Sequence, residues 1–194
     1  MIILGLDASS AVYGYCVFDT ETMRPIEVGS LKLKTSKKDQ SEVDLYSKLE
    51  AIFSFISALR IKFNPEVASI EDLFLKNVGT LETLSEVRGA TRLALGGVPL
   101  VKIPTTTMKS EIGLTGALKT TRKDEVVAIE KATEWTDMKG TIKTITVAKK
   151  KDLIRELKKQ IVLDLVNKKF DLSLTINDES DAVAIAYTYC KKYL

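Results

Sequence analysis

Met1-Ile2-Ile3-Leu4-Gly5-Leu6-Asp7-Ala8-Ser9-Ser10 opens the chain, and residues 1–18 carry its plainest fold signal. The apolar run from Ile2 to Leu6 closes on one carboxylate, Asp7, and then on a turn of small residues. Such a run predicts a strand buried on both faces. Residues 12–18, with Gly14 among them, predict a second strand that folds back as a hairpin. Asp7 then stands where a core strand meets a loop, and a carboxylate there is costly to bury without a partner.

Further along, residues 26–34 predict a third antiparallel strand, and 35–41 a charged loop. Leu45, Leu49, Ile52, Ile56 and Leu59 step by four and three, the stripe of an amphipathic helix over 42–62 that Asn64-Pro65 ends. A short buried strand over 67–71 closes, like the first, on an acid, Glu71. A loop carrying Phe74, Lys76 and Asn77 leads to a helix over 80–95, with Leu81, Leu84, Val87, Thr91 and Ala94 on its apolar face. Gly96-Gly97 stops it before a strand over 98–103. Strands alternating with helices in this way predict an α/β fold with parallel strands and right-handed crossovers.

Pro104 predicts the start of a short helix with Lys109, followed by a flexible loop over 113–119. Thr121 is a candidate cap for a helix over 122–134. Ile142, Ile145 and Val147 hint at a strand or hairpin. A helix over 151–170 buries Ile154, Leu157, Ile161 and Leu165 and turns Lys158, Lys159, Lys168 and Lys169 to solvent. In the last helix, 178–193, Asp178 and Asp181 are three apart and share one side of the first turn. Small and apolar residues fill nearly every position from Ala182 to Ala186, so this helix is expected to pack on more than one face.

With 194 residues, 45% of them hydrophobic, the chain is expected to form a single domain over 1–194. Its 29 basic and 26 acidic residues leave a net charge of +3, which permits a polyanionic partner without demanding one. Cys16 and Cys190 are too few for a disulfide framework and read as core filler in a reducing, cytoplasmic setting. Histidine is absent, which excludes Ser-His-Asp and Cys-His nucleophile systems and His-rich zinc sites. No apolar run is long enough to suggest a membrane span.

Asp7, Glu71, Asp178 and Asp181 are the acids this pattern singles out. Gathered together they would repel one another unless cations neutralised them, and oxygen-only ligands favour Mg²⁺ or Mn²⁺. Two such ions about 4 Å apart activate water and stabilise a leaving oxygen at a phosphodiester. The plainer alternative makes Asp178 and Asp181 ordinary acids at a helix N-terminus, and Asp7 and Glu71 ordinary strand ends.

The chain resembles the RuvC-like Holliday-junction resolvases of the ribonuclease H-like superfamily, their phage-type members in particular. The resemblance is carried by Ile3-Leu4-Gly5-Leu6-Asp7 with Gly14-Tyr15, by Ala68-Ser69-Ile70-Glu71 with Phe74, by Arg88-Gly89-Ala90, by the stretch from Pro104 to Lys109, and by Asp178-Glu179-Ser180-Asp181-Ala182. It implies a five-stranded mixed sheet flanked by helices, led by three antiparallel strands, in a homodimer built through the helix at 80–95, where Gly89 and Ala90 would permit close approach. Asp7, Glu71, Asp178 and Asp181 match the family's metal-binding catalytic acids, holding two Mg²⁺ ions that Mn²⁺ can replace. Phe74 matches an aromatic that stacks on bases at the branch point, or is an ordinary core residue, and Lys76 lies beside it. Lys109 matches a lysine near the cut phosphate; Lys119 and Lys123 compete for a second such role. Ala8-Ser9 replaces the family's usual Pro-Gly, and residues 135–151 exceed the common bacterial pattern. The implied activity is nicking of four-way and other branched DNA. An actin-like or sugar-kinase-like ATPase and a non-catalytic branched-DNA binder are the alternatives; the first needs a duplicated domain, and the second gains nothing from clustered acids.

Overall fold

Alternation along the first strand sets both faces of the sheet at once. The structure, a computed structural model, describes residues 1–33, 42–72, 78–120, 122–136 and 140–194. Strand β1 (Ile2–Asp7) sends Ile3 into one hydrophobic core and Leu4 and Leu6 into another. Because successive side chains leave a strand on opposite sides, Gly5 and Asp7 follow Ile3.

Strands β2 (Val12–Asp19), β3 (Arg24–Lys32), β4 (Val67–Asp72) and β5 (Leu100–Pro104) join β1 in the order β3-β2-β1-β4-β5. The hairpin pairs β1–β2 and β2–β3 are antiparallel, whereas β1–β4 and β4–β5 are parallel. This is the five-stranded mixed sheet expected. Leu6 pairs with Ile70, so Asp7 and Glu71 come next to each other at the carboxyl ends of adjacent parallel strands. Ile70 and Ala68 belong with Leu4 and Leu6, which leaves Glu71 on the face of Asp7.

Helices α1 (Glu42–Phe63) and α2 (Val78–Leu95) cover the Leu4 face through Ile52, Ile56, Leu59, Val87 and Leu95. The Ile3 face is covered by α3 (Thr105–Glu111), α4 (Leu114–Lys119), α6 (Val147–Phe170) and α7 (Asn177–Tyr193), which add Met108, Leu114, Val166 and Ala182–Ala186 to its core. Helix α5 (Lys123–Lys131) and a hairpin of β6 (Glu134–Thr136) and β7 (Ile142–Thr144) lie between α4 and α6 in the chain. Among the described residues no helix is long and apolar enough to cross a membrane.

Helix α7 lies directly on the β1–β2 hairpin, and two glycines permit it. A Cβ at Gly5 would run into the Ala182 carbonyl oxygen and come 2.7 Å from the Ala186 Cβ; one at Gly14 would run into the Asp178 carbonyl. Removing side chains where a helix backbone crosses a strand allows this approach. The expectation that α7 packs on several faces holds: every residue from Ala182 to Ala186 is buried.

Several boundaries differ from the sequence reading. Residues 113–119 are not a loop: Gly113, at φ 90°, turns the chain, and Leu114 then drives α4 into the core as it becomes buried. Helix α5 ends at Lys131, and Glu134 instead pairs with Thr144 in the hairpin that Ile142 hinted at. Helix α6 starts four residues earlier than expected, because the Thr146 hydroxyl accepts the Lys149 N–H as an N-cap. Leu81 is exposed at 43%, unlike Val87, Thr91 and Ala94 on the same helix. Residues 35–41, Phe74, Lys76 and Thr121 lie outside the described residues.

Gly14→Ala is expected to destabilise the fold by about 1–3 kcal/mol in urea unfolding, as α7 is forced off the hairpin. Gly89, by contrast, has no atom of its own chain within 4 Å of an added Cβ.

Candidate active site

Four acids meet where the carboxyl ends of β1 and β4 pass under the first turn of α7. Asp7 pairs with Gly14 across the hairpin, and Asp178 rests its backbone on that same glycine. Asp181 follows one turn later, on the same side of α7. Glu179 is turned away: the Ser30 hydroxyl donates to its Oε1 at 2.8 Å, and Ser30 is Gly14's partner on β3. This tie and the glycine contact fix the helix start against the sheet.

Glu71 is held from two sides. The Thr105 hydroxyl, at the start of α3, donates to Glu71 Oε1 at 2.5 Å, and Arg88 of α2 donates to the Glu71 backbone carbonyl. Arg88 also stands 4.0 Å from the Asp72 carboxylate. A guanidinium under the sheet thus anchors the strand end, while a hydroxyl above it orients the carboxylate.

Electrostatics records the convergence. Burial pushes the Asp7 carboxyl well above the usual range, and the negative charges of Asp181, Glu71 and Asp178 push it further. Asp181 is pushed up to about 7, first by burial and then by Glu71, with Asp178 adding to the effect. The ammonium of Lys159 works against the rise at both residues, and that of Lys109 at Asp181. Among the described residues, no three acids stand at the spacing that would grip one metal ion.

A cleft of about 570 Å³ opens beside Glu71 and Asp181. Lys109 lines it from α3, and Lys151, Arg155, Lys158 and Lys159 line it from α6. Lys119, at the end of α4, and Lys123, at the start of α5, are both exposed, and neither lines this cleft. Lys158 and Lys159 are therefore not simply a solvated face. Their recurrence with Lys151 and Arg155 at helical spacing was the signal available in sequence. Nothing in sequence marked Thr105 as the partner of Glu71, since that contact exists only once β4 and β5 pair.

Between pH 4, near which an unfolded Asp titrates, and about 7, the folded chain holds more protons at Asp181 than the unfolded one. Stability must fall as pH rises through that window. In chelator, the melting temperature is expected to drop by on the order of 5 °C between pH 5 and pH 8. Asp181→Asn should flatten the drop and raise the melting temperature at pH 8, which differential scanning calorimetry would read.

Comparison with known proteins agrees with this architecture. The family model described as Crossover junction endodeoxyribonuclease RuvC matches residues 3–133, a stretch that includes Asp7 and Glu71 and stops before α6 and α7. A protein of that name from Citrifermentans bemidjiense is 37% identical over 101 residues, 52% of this chain and 59% of the relative. Another, from Colwellia psychrerythraea, is 34% identical over 119 residues, 60% of this chain and 66% of the relative. The chain thus spans less than two thirds of the length of these relatives. The solved structure of Thermus thermophilus RuvC in complex with a Holliday junction substrate superposes with a TM-score of 0.61 at 16% identity, covering 100% of this chain and 96% of that one, so the fold is shared. The mixed sheet and the family match over two thirds of the sequence agree, and the chain belongs to the RuvC family of crossover junction endodeoxyribonucleases.

Proposed function

We propose that this chain is a divalent-metal-dependent endonuclease that hydrolyses phosphodiesters in branched DNA, four-way junctions above all. The observation that carries the reading is the convergence of Asp7, Glu71, Asp178 and Asp181 beside a lysine-lined cleft, in a member of a family named for that activity. The donor set fits a hard cation: it is all oxygen, and the mutual repulsion that raises Asp7 and Asp181 is what a cation would relieve.

Asp7, Glu71, Asp178 and Asp181 would hold Mg²⁺, two ions per site, with Mn²⁺ as a substitute. Bound there, the ions supply an activated water and stabilise the leaving oxygen. Thr105 keeps the Glu71 carboxylate aimed into the cleft, and Arg88 keeps the strand end from shifting. Lys109 brings positive charge to the phosphate being cut. Lys159 is the stronger candidate for the second such role than Lys119 or Lys123, because its charge acts on both Asp7 and Asp181. Phe74 and Lys76 remain proposed contacts at the branch point. A homodimer through α2 would bring two sites to one junction; Gly89, open on the outer side of that helix, leaves room for a partner backbone.

A labelled four-way junction and a matched linear duplex, each with Mg²⁺, with Mn²⁺ and with chelator, test the proposal. Metal-dependent nicks near the crossover, absent from the linear duplex, are expected. Asp7→Asn should cut at least about 10²-fold more slowly while still binding the junction. Binding without cleavage under every metal would instead favour a non-catalytic binder.

A further inference from the structure

Helix α6 carries more positive charge to the cleft than contact with one phosphate requires. Lys151, Ile154, Arg155, Lys158, Lys159 and Val162 line it, at spacings of three and one that place all six on one helical face. Lys151, Arg155 and Lys158 are exposed, whereas Ile154 and Lys159 are half-buried and Val162 is buried. Lys159 and Lys109 act electrostatically on the acids, but Lys151, Arg155 and Lys158 stand further along the helix towards its N-terminus.

Among the described residues, no carboxylate forms an ion pair with Lys151, Arg155 or Lys158. Arg122, by contrast, is bridged to Glu125 and Asp164 at 2.5 Å each. The N-terminal end of α6 is itself braced: Thr146 caps it, Lys150 Nζ donates to the Glu130 carbonyl at 2.6 Å, and Lys149 Nζ stands 3.8 Å over the Trp135 ring of the β6–β7 hairpin. The hairpin therefore fixes the direction in which this part of the helix projects. Helix α6 and the hairpin lie beyond the stretch that the family model matches.

We infer that the N-terminal half of α6 is a phosphate-binding wall, on which Lys151, Arg155 and Lys158 grip the DNA backbone flanking the cut. From Lys151 to Lys158 the helix rises about 10 Å, the axial length of roughly three nucleotides of a B-form strand. Three cations on one rim of that length suit consecutive phosphates of one strand entering the cleft. The contacts are to backbone, so the wall strengthens binding without reading sequence. This inference rests on the nuclease reading for its choice of ligand.

Binding of a fluorescein-labelled four-way junction by full-length protein in chelator, measured by anisotropy across a salt series, tests the wall. Each lost phosphate contact lowers the slope of log affinity against log salt by about 0.9. The triple variant Lys151→Ala, Arg155→Ala, Lys158→Ala should lose roughly two to three from that slope, with an unchanged melting temperature. Lys168→Ala with Lys169→Ala, exposed at the far end of the same helix, should leave the slope as it is. If the triple variant keeps the wild-type slope, or the distal pair lowers it equally, the wall is overturned while junction cleavage by the wild type keeps the nuclease reading. If the slope falls as expected but the wild type cuts no branched DNA, the nuclease reading alone falls. A wild type that binds no DNA overturns both.

Discussion

The contact on which the rest of this molecule depends is the seating of α7 on the glycine pair of the first hairpin. Gly5 and Gly14 lie under Ala182 and Asp178, and the helix backbone fills the space their side chains would take. That approach has two consequences. It buries the run from Ala182 to Ala186 against the sheet, and it delivers Asp178 and Asp181 to the strand end that already carries Asp7. Apolar packing and the assembly of the acids are thus one event, since a helix displaced by a single methyl group would carry both carboxylates away with it.

The assembled acids work against the fold that assembles them. Burial and like charge raise Asp7 and Asp181, so each is held in a protonation balance the unfolded chain would not choose. Clustered, perturbed carboxylates in a cleft are a mark of a site kept for chemistry rather than for stability. The chain offsets part of the repulsion with Lys109 and Lys159, and part by tying the neighbours down: Thr105 and Arg88 on Glu71, Ser30 on Glu179. Basic residues from α3 and α6 thus share a cleft with Glu71 and Asp181, so that positive charge able to attract an anion stands beside the carboxylates.

Local pattern was enough to mark the strands and to single out four candidate acids. The apolar run from Ile2 to Leu6, the second run closing on Glu71 and the three-residue step from Asp178 to Asp181 each carry their meaning within a few residues, because strand and helix periodicities are local properties. Where the reading failed, local pattern was weak or misleading. Leu114 drives α4 into a core that no short window reveals, and Glu134, expected in a helix, pairs instead with Thr144 ten residues downstream. The lysines of α6 looked like solvent charge because charge on a long helix usually is.

By itself the sequence determined the five strands of the sheet, its longer helices and the identity of four candidate acids, since alternation and helical spacing are properties of a few neighbouring residues. Only the tertiary structure decided which basic residues share the cleft with those acids. Lys109 and Lys159 are fifty residues apart, while Lys119 and Lys123, nearer in sequence to Lys109, are exposed elsewhere. The physical reason is that a charge acts through space: the packing of α6 against α7 and the sheet, which no local pattern encodes, sets its distance from the carboxylates.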